Sequence, residues 1–201
     1  MEAPHRNRVT PTGEIVAIPL RGRWTGNRGN LHRGTEIVRP WANPHWLICS
    51  LEWRGIRRVQ WLPRRLTWLF FHDEAVALAA GHRPCAYCRR AAYNDFRAAW
   101  AGRGEVPLHG EIDGTLHRER LVAGTRERRT HPVSYARLPD GAFVVQDRVP
   151  ALVHGGLLVA WSKEGYGERR RRPRRGEADV LTPPSTLRVL TAGYPVQISL
   201  G

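Results

Sequence analysis

The chain has 201 residues, enough to bury a core, and 41% hydrophobic content with eight tryptophans fits a folded globular protein. Its net charge of +14 comes from 32 cationic side chains against 18 acidic ones, and because Lys163 is the only lysine the excess is carried by arginine, which forks onto phosphate or guanine. No apolar run approaches the ~20 residues that span a bilayer, the opening MEAPHRNRVT has no apolar signal segment, and three cysteines do not make a disulfide framework. A GC-rich genome explains arginine in place of lysine but not the cationic excess, so the expected partner is nucleic acid, in a reducing cytoplasm and away from membranes.

After a polar start, the run EIVAIPL from Glu14 to Leu20 suggests a strand. RGRWTGNRGNLHRG follows as a glycine- and arginine-rich loop, in which the amides of Gly22, Gly26 and Gly29 beside Arg21, Arg23 and Arg28 suit phosphate, or simply form a surface turn. Trp41 to Trp53 reads as strand-like around Cys49. Then Arg54, Arg57, Arg58, Arg64 and Arg65 interleave with Trp53, Trp61 and Trp68. Aromatic faces stack on exposed bases while arginine meets the backbone, so Arg57, Arg58, Trp61, Arg64 and Arg65 join Arg23 and Arg28 as expected nucleic-acid contacts. The competing reading is that the tryptophans are core and the arginines the wet face of the same strands.

The segment from Leu69 to Arg89, LFFHDEAVALAAGHRPCAYCR, joins a short strand, a helix from Glu74 to Ala80 capped by Asp73, a terminating Gly81 and the pair Cys85 and Cys88. Two residues between the cysteines let both sulfurs reach one tetrahedral ion, although free cysteine also serves as a small buried hydrophobe. Phe70, Phe71, Glu74, Ala75, Ala79, Ala80, Gly81, Arg83, Pro84, Cys85 and Cys88 together resemble the second ligand phrase of the metal-binding domain of Ada, the bacterial alkylation-response protein, with His82 where the family has Phe or Tyr. The resemblance implies a four-ligand zinc site, made of four cysteines in the family, together with DNA binding and a methyl-accepting cysteine. In the family a first pair has the form Cys-x-x-x-Cys; here HWLIC keeps the spacing with His45 in place of the first thiolate, which implies a site of His45, Cys49, Cys85 and Cys88 and puts the methyl transfer in doubt. His72 and His82 compete for the fourth place.

Beyond Cys88 a helix is expected to about Ala101, with Tyr93, Phe96 and Trp100 on one stripe, and a domain boundary falls at Gly102 to Gly104. HGEIDGTLHRER, His109 to Arg120, suggests a second helix on which Asp113 and His117 share a face; the pair could serve a divalent metal or acid–base work, but such spacings arise readily by chance in charged helices and read first as a solvated face. From Gly141 the pattern is β, with turns at Asp147-Arg148 and Gly155-Gly156, then an arginine-rich loop over 168–177, a short helix opened by Pro183 and Pro184, and a closing strand VQIS. The expected architecture is α+β: a zinc-binding, DNA-binding unit over 1–102 and a β-rich unit over 103–201. Alternatives are an enzyme acting on DNA, with Cys49 as methyl acceptor or Asp113 and His117 as a nuclease pair, and a thiolate-based metal or redox sensor.

Overall fold

Strands of two to four residues, separated by glycine, proline and asparagine, build the first half of the computed structural model, which describes residues 4–56 and 58–200. They are β1 (Arg8–Val9), β2 (Ile15–Val16), β3 (Trp24–Asn27), a hairpin of β4 (His32–Arg33) and β5 (Glu36–Ile37), β6 (Leu47–Cys49), β7 (Leu69–Phe71) and β8 (Arg83–Pro84). All but the hairpin form one sheet, in the order β2-β1-β7-β3-β6-β8, with β1 parallel to β7 and β6 parallel to β8. Helix α1 (Glu74–Ala79) bridges β7 and β8, and α2 (Arg90–Ala101) and α3 (His109–Arg120) follow. The second half folds β9 (His131–Ser134), β10 (Phe143–Gln146), β11 (Val149–His154), β12 (Leu157–Ser162), β13 (Gly165–Arg171) and β14 (Glu177–Val180) into a sheet of order β13-β12-β11-β10-β14-β9, then adds α4 (Pro184–Thr191). The chain is thus mixed α and β, as expected.

Helix α1 is the pillar of the molecule. Asp73 accepts the Val76 N–H and caps it, and Gly81, at φ +87°, follows its end. All six of its residues are fully buried, which is why AVALAA is apolar all round. Ala77 and Leu78 join a core containing Ile48, Leu69, Phe71 and Phe96. Ala75, Val76 and Ala79 join another with Phe143, Leu152, Val159 and Trp161 from the second sheet. The core therefore runs across residue 102, where the sequence suggests a boundary, and α2 packs on α4 with Phe96 edge-on to Tyr194 at 5.5 Å.

Three expected elements take other forms. The glycine-arginine segment is not a phosphate loop: β3 is a central strand, and a Cβ on Gly26 would stand 1.9 Å from the Leu47 carbonyl oxygen, so glycine lets β6 lie against it. The basic run is not a loop throughout, because Arg169, Arg170 and Arg171 continue β13 opposite Val159, Leu158 and Leu157. Charged side chains on this outermost strand discourage pairing with another chain. VQIS forms no strand, because two carboxylates capture its backbone: Gln197 N–H donates to Glu74 Oε2 at 3.1 Å and Ser199 N–H to Asp73 Oδ2 at 3.0 Å.

Candidate metal centre

Strand β6 and the turn before α2 bring Cys49, Cys85 and Cys88 together, with all three sulfurs within 4.8 Å of one another. Parallel pairing of Ile48 with Pro84 sets the approach, and the Cys85 N–H donates to the Ile48 carbonyl at 2.9 Å. Ser50 Oγ donates to the Cys88 carbonyl at 3.2 Å, which holds the far side of the turn. Tetrahedral zinc with Zn–S bonds of about 2.3 Å requires sulfurs about 3.8 Å apart, so adjustments of about an ångström would seat an ion. Three soft donors suit such a metal, and this cluster can hold a metal ion.

The three sulfurs share protons unequally. Hydrogen bonds from the Cys49 and Cys88 thiols, helped by the Cys88 and Tyr87 amides, hold the Cys85 thiol well below its ordinary range, with Tyr87 N–H at 3.4 Å from its sulfur. Hydrogen bonding to Cys85 and then to Cys88, together with burial, pushes Cys49 far above that range. The N-terminus of α2 adds positive potential beside the sulfurs. Behind them, Arg89 Nη1 donates to Glu74 Oε1 at 2.7 Å in a buried ion pair, and its guanidinium lies 3.8 Å over the Trp24 ring.

His45 does not join the cluster. Residues 47–49 are extended, so a residue four positions before Cys49 stands about 13 Å away at ~3.3 Å per residue. The His45 Nδ1 pairs with Asp113 Oδ2 at 2.7 Å instead. His82 is no substitute, since it is fully buried, with Nε2 accepting from Arg28 Nε at 3.1 Å and Nδ1–H donating to the Ala77 carbonyl at 3.2 Å. Its ring packs on Phe71 and Trp46 at 4.7 and 5.1 Å, which accounts for an aromatic ring at this position. His72 lies against Tyr166 beside Asp73. Among the described residues no fourth histidine, cysteine or carboxylate completes the set.

Asp113 and His117 do not form a nuclease pair either. Both Asp113 oxygens are engaged, Oδ1 by Arg83 Nε and Oδ2 by Arg83 Nη2, each at 2.7 Å, and the side chain is buried. His117 meets Arg120 Nη2 at 2.8 Å and two tryptophan edges. They gather no metal cluster among the described residues.

The expected nucleic-acid contacts divide. Arg23, Arg64 and Arg65 are exposed. Arg58 is half-buried, stacked 4.6 Å over Trp68 and donating to the Ser50 carbonyl at 3.0 Å. Arg28 is not a surface contact, being 1% exposed, and Trp61 packs against the core between His5 and His32. Arg57 lies outside the described residues. What sequence reading missed is Tyr87: placed between the two ligand cysteines, 65% exposed, its ring lies 4.2 Å from Trp53. An aromatic inside Cys-x-x-Cys was the available signal. In the segment from Leu51 to Leu66 the apolar side chains of Leu51, Ile56, Val59, Leu62 and Leu66 are also exposed, interspersed with arginine.

Comparison with known protein families, curated proteins and solved structures gives no match to this chain. Among the described residues no helix is long and apolar enough to cross a membrane.

Proposed function

We propose that the chain binds one zinc ion through Cys49, Cys85 and Cys88, and that the surface organised around it binds nucleic acid, DNA ahead of RNA, in the manner of the Ada metal-binding domain that Leu69–Arg89 resembles. The observation that carries the metal reading is the convergence of three sulfurs from two distant segments within 4.8 Å. Zinc would join β6 to the start of α2 and neutralise the thiolates. Because the described chain supplies three ligands, a water or an incoming group takes the fourth position. A role in DNA damage recognition or repair follows from the resemblance. A methyl-acceptor role for Cys49 has less support, since that residue is 4% exposed.

The nucleic-acid reading draws on the +14 charge, on exposed Arg23, Arg54, Arg64 and Arg65, and on the Tyr87–Trp53 pair beside the cysteines. An exposed ring takes an unstacked base, which favours single-stranded or distorted DNA over duplex. Fluorescence anisotropy across a salt series tests this. Tyr87→Ala and the triple change Arg54→Gln, Arg64→Gln, Arg65→Gln should each weaken single-strand binding, and the triple change should flatten the salt slope by about 0.7 for every phosphate that is no longer neutralised. The same change at Arg169, Arg170 and Arg171 should do less. Equal weakening by both sets would mean diffuse attraction, and no binding at low salt would remove the reading.

A further inference from the structure

A cleft of about 980 Å³ opens on the face built from the β2 region, the segment after β5 and the turn after α3, and none of the cysteines lines it. Its floor is Arg28, a guanidinium with 1% exposure. Nε is used by His82 at 3.1 Å and Nη1 by the carbonyls of Gly13 and Pro40 at 2.9 and 3.4 Å, which leaves Nη2 buried and without a partner among the described residues. Nε of Arg128 is buried and unpartnered in the same way. The two nitrogens address one place: a Cβ drawn on Gly13 would lie 3.8 Å from Arg28 Nη2 and 3.7 Å from Arg128 Nε. Gly13, at φ +85°, leaves that space open.

Neither arginine has a carboxylate partner among the described ion pairs. A third buried arginine, Arg120, stacks on one face of Trp46 at 3.7 Å while Arg28 lies over the ring at 3.8 Å. An unpaired buried charge is costly, so a cluster of guanidiniums aimed into a cleft favours an anion. Arg6, Arg39, Arg126 and Lys163 also line the cleft, against the two acids Glu14 and Glu127. Trp41 offers a half-buried flat face beside them.

We propose that this cleft binds the terminal phosphate of a small phosphorylated molecule, on Arg28 Nη2 and Arg128 Nε beside Gly13. A guanidinium presents paired donors to phosphate oxygens. Arg28 lies at the floor, so it is reached by a group with a free end, which favours a terminal phosphate over a phosphodiester linked on both sides. The volume is that of a small-molecule site.

Isothermal titration with inorganic phosphate, adenosine 5′-diphosphate and adenosine, at matched ionic strength in chloride, decides the matter. Saturable heat is expected with phosphate and more tightly with the diphosphate, and none with adenosine. Arg128→Gln should weaken the diphosphate at least ten-fold; because Arg128 also donates to the carbonyls of Arg120, Ala79 and Leu181, circular dichroism must show the variant folded. The exposed lining pair Arg39→Gln, Arg126→Gln, which holds no such contact among the described residues, should weaken the diphosphate as well, whereas Arg171→Ala on exposed β13 should leave it as it was. Absence of saturable heat, or equal affinity in Arg128→Gln, would overturn the proposal. Displacement of the diphosphate by a thymidine oligonucleotide lacking terminal phosphates would overturn the preference for a free end. None of these outcomes depends on zinc.

Discussion

Replacing Glu74 by leucine tests how the cysteine cluster is supported by the buried ion pair next to it. The carboxylate is 1% exposed and the Arg89 guanidinium 5%; Oε1 accepts from Arg89 at 2.7 Å and from the Tyr194 hydroxyl at 2.7 Å, and Oε2 accepts from the Gln197 amide at 3.1 Å. Leucine leaves a buried cation unpaired, a loss of about 3–5 kcal/mol, to which the stranded hydroxyl and amide add about 1–2 kcal/mol. For a domain whose whole stability is about 5–15 kcal/mol, the variant should be close to unfolding. Urea unfolding with the slope unchanged measures this. Adding Arg89→Met should recover a large share, because the orphaned charge is then gone. A loss under about 1 kcal/mol for the single change, or no recovery in the double, would refute the buried-pair argument. Arg89 immediately follows Cys88 and its N–H holds the Cys85 carbonyl at 3.1 Å, so the same variant should surrender metal to a chelator sooner.

Burial, then the charges of Arg28 and Arg120, hold the His82 imidazole well below its usual 6.5. Its folded pKa is depressed, so the unfolded chain binds the extra proton: stability is level above about 6.5 and falls by about 1.4 kcal/mol per pH unit below it. Nitrogen-15 NMR should find His82 neutral and protonated on Nδ1 at pH 5.5, and a titration near 6.5 would contradict the burial. Gly26→Ala forces a carbon to 1.9 Å from a backbone oxygen, so β3 and β6 must part; loss of more than about 3 kcal/mol, or insoluble protein, is expected. His45→Ala should leave the metal content unchanged, since its ring is engaged by Asp113, and a fall in bound metal would restore it as a ligand.

The legible parts of the sequence were those written in local chemistry. Asp73 and Gly81 marked both ends of α1, the stripe of Tyr93, Phe96 and Trp100 marked α2, and the paired glycines 155 and 156 marked the β11–β12 turn. Cys49, Cys85 and Cys88 were likewise expected together, and they are. What failed was whatever depended on distant partners. Arg28 looks like any arginine beside glycine until His82, Gly13 and Trp46 close over it. Gly22 and Gly26 look like a phosphate loop because nothing local says that Phe71 and Leu47 lie against them. A four-residue gap has a different reach in a strand than in a helix, and that misplaced His45. The arginines of β13 hid an edge strand, whose pairing is set by β12 alone.

Metal content of the purified chain, by native mass spectrometry with elemental analysis, tests the zinc reading most directly. One zinc per chain is expected in the wild type, with Cys85→Ser and Cys49→Ser each losing it, because two thiolates bind far more weakly than three. A folded, monodisperse chain without metal, still folded after exposure to zinc and still free of it, would contradict the reading.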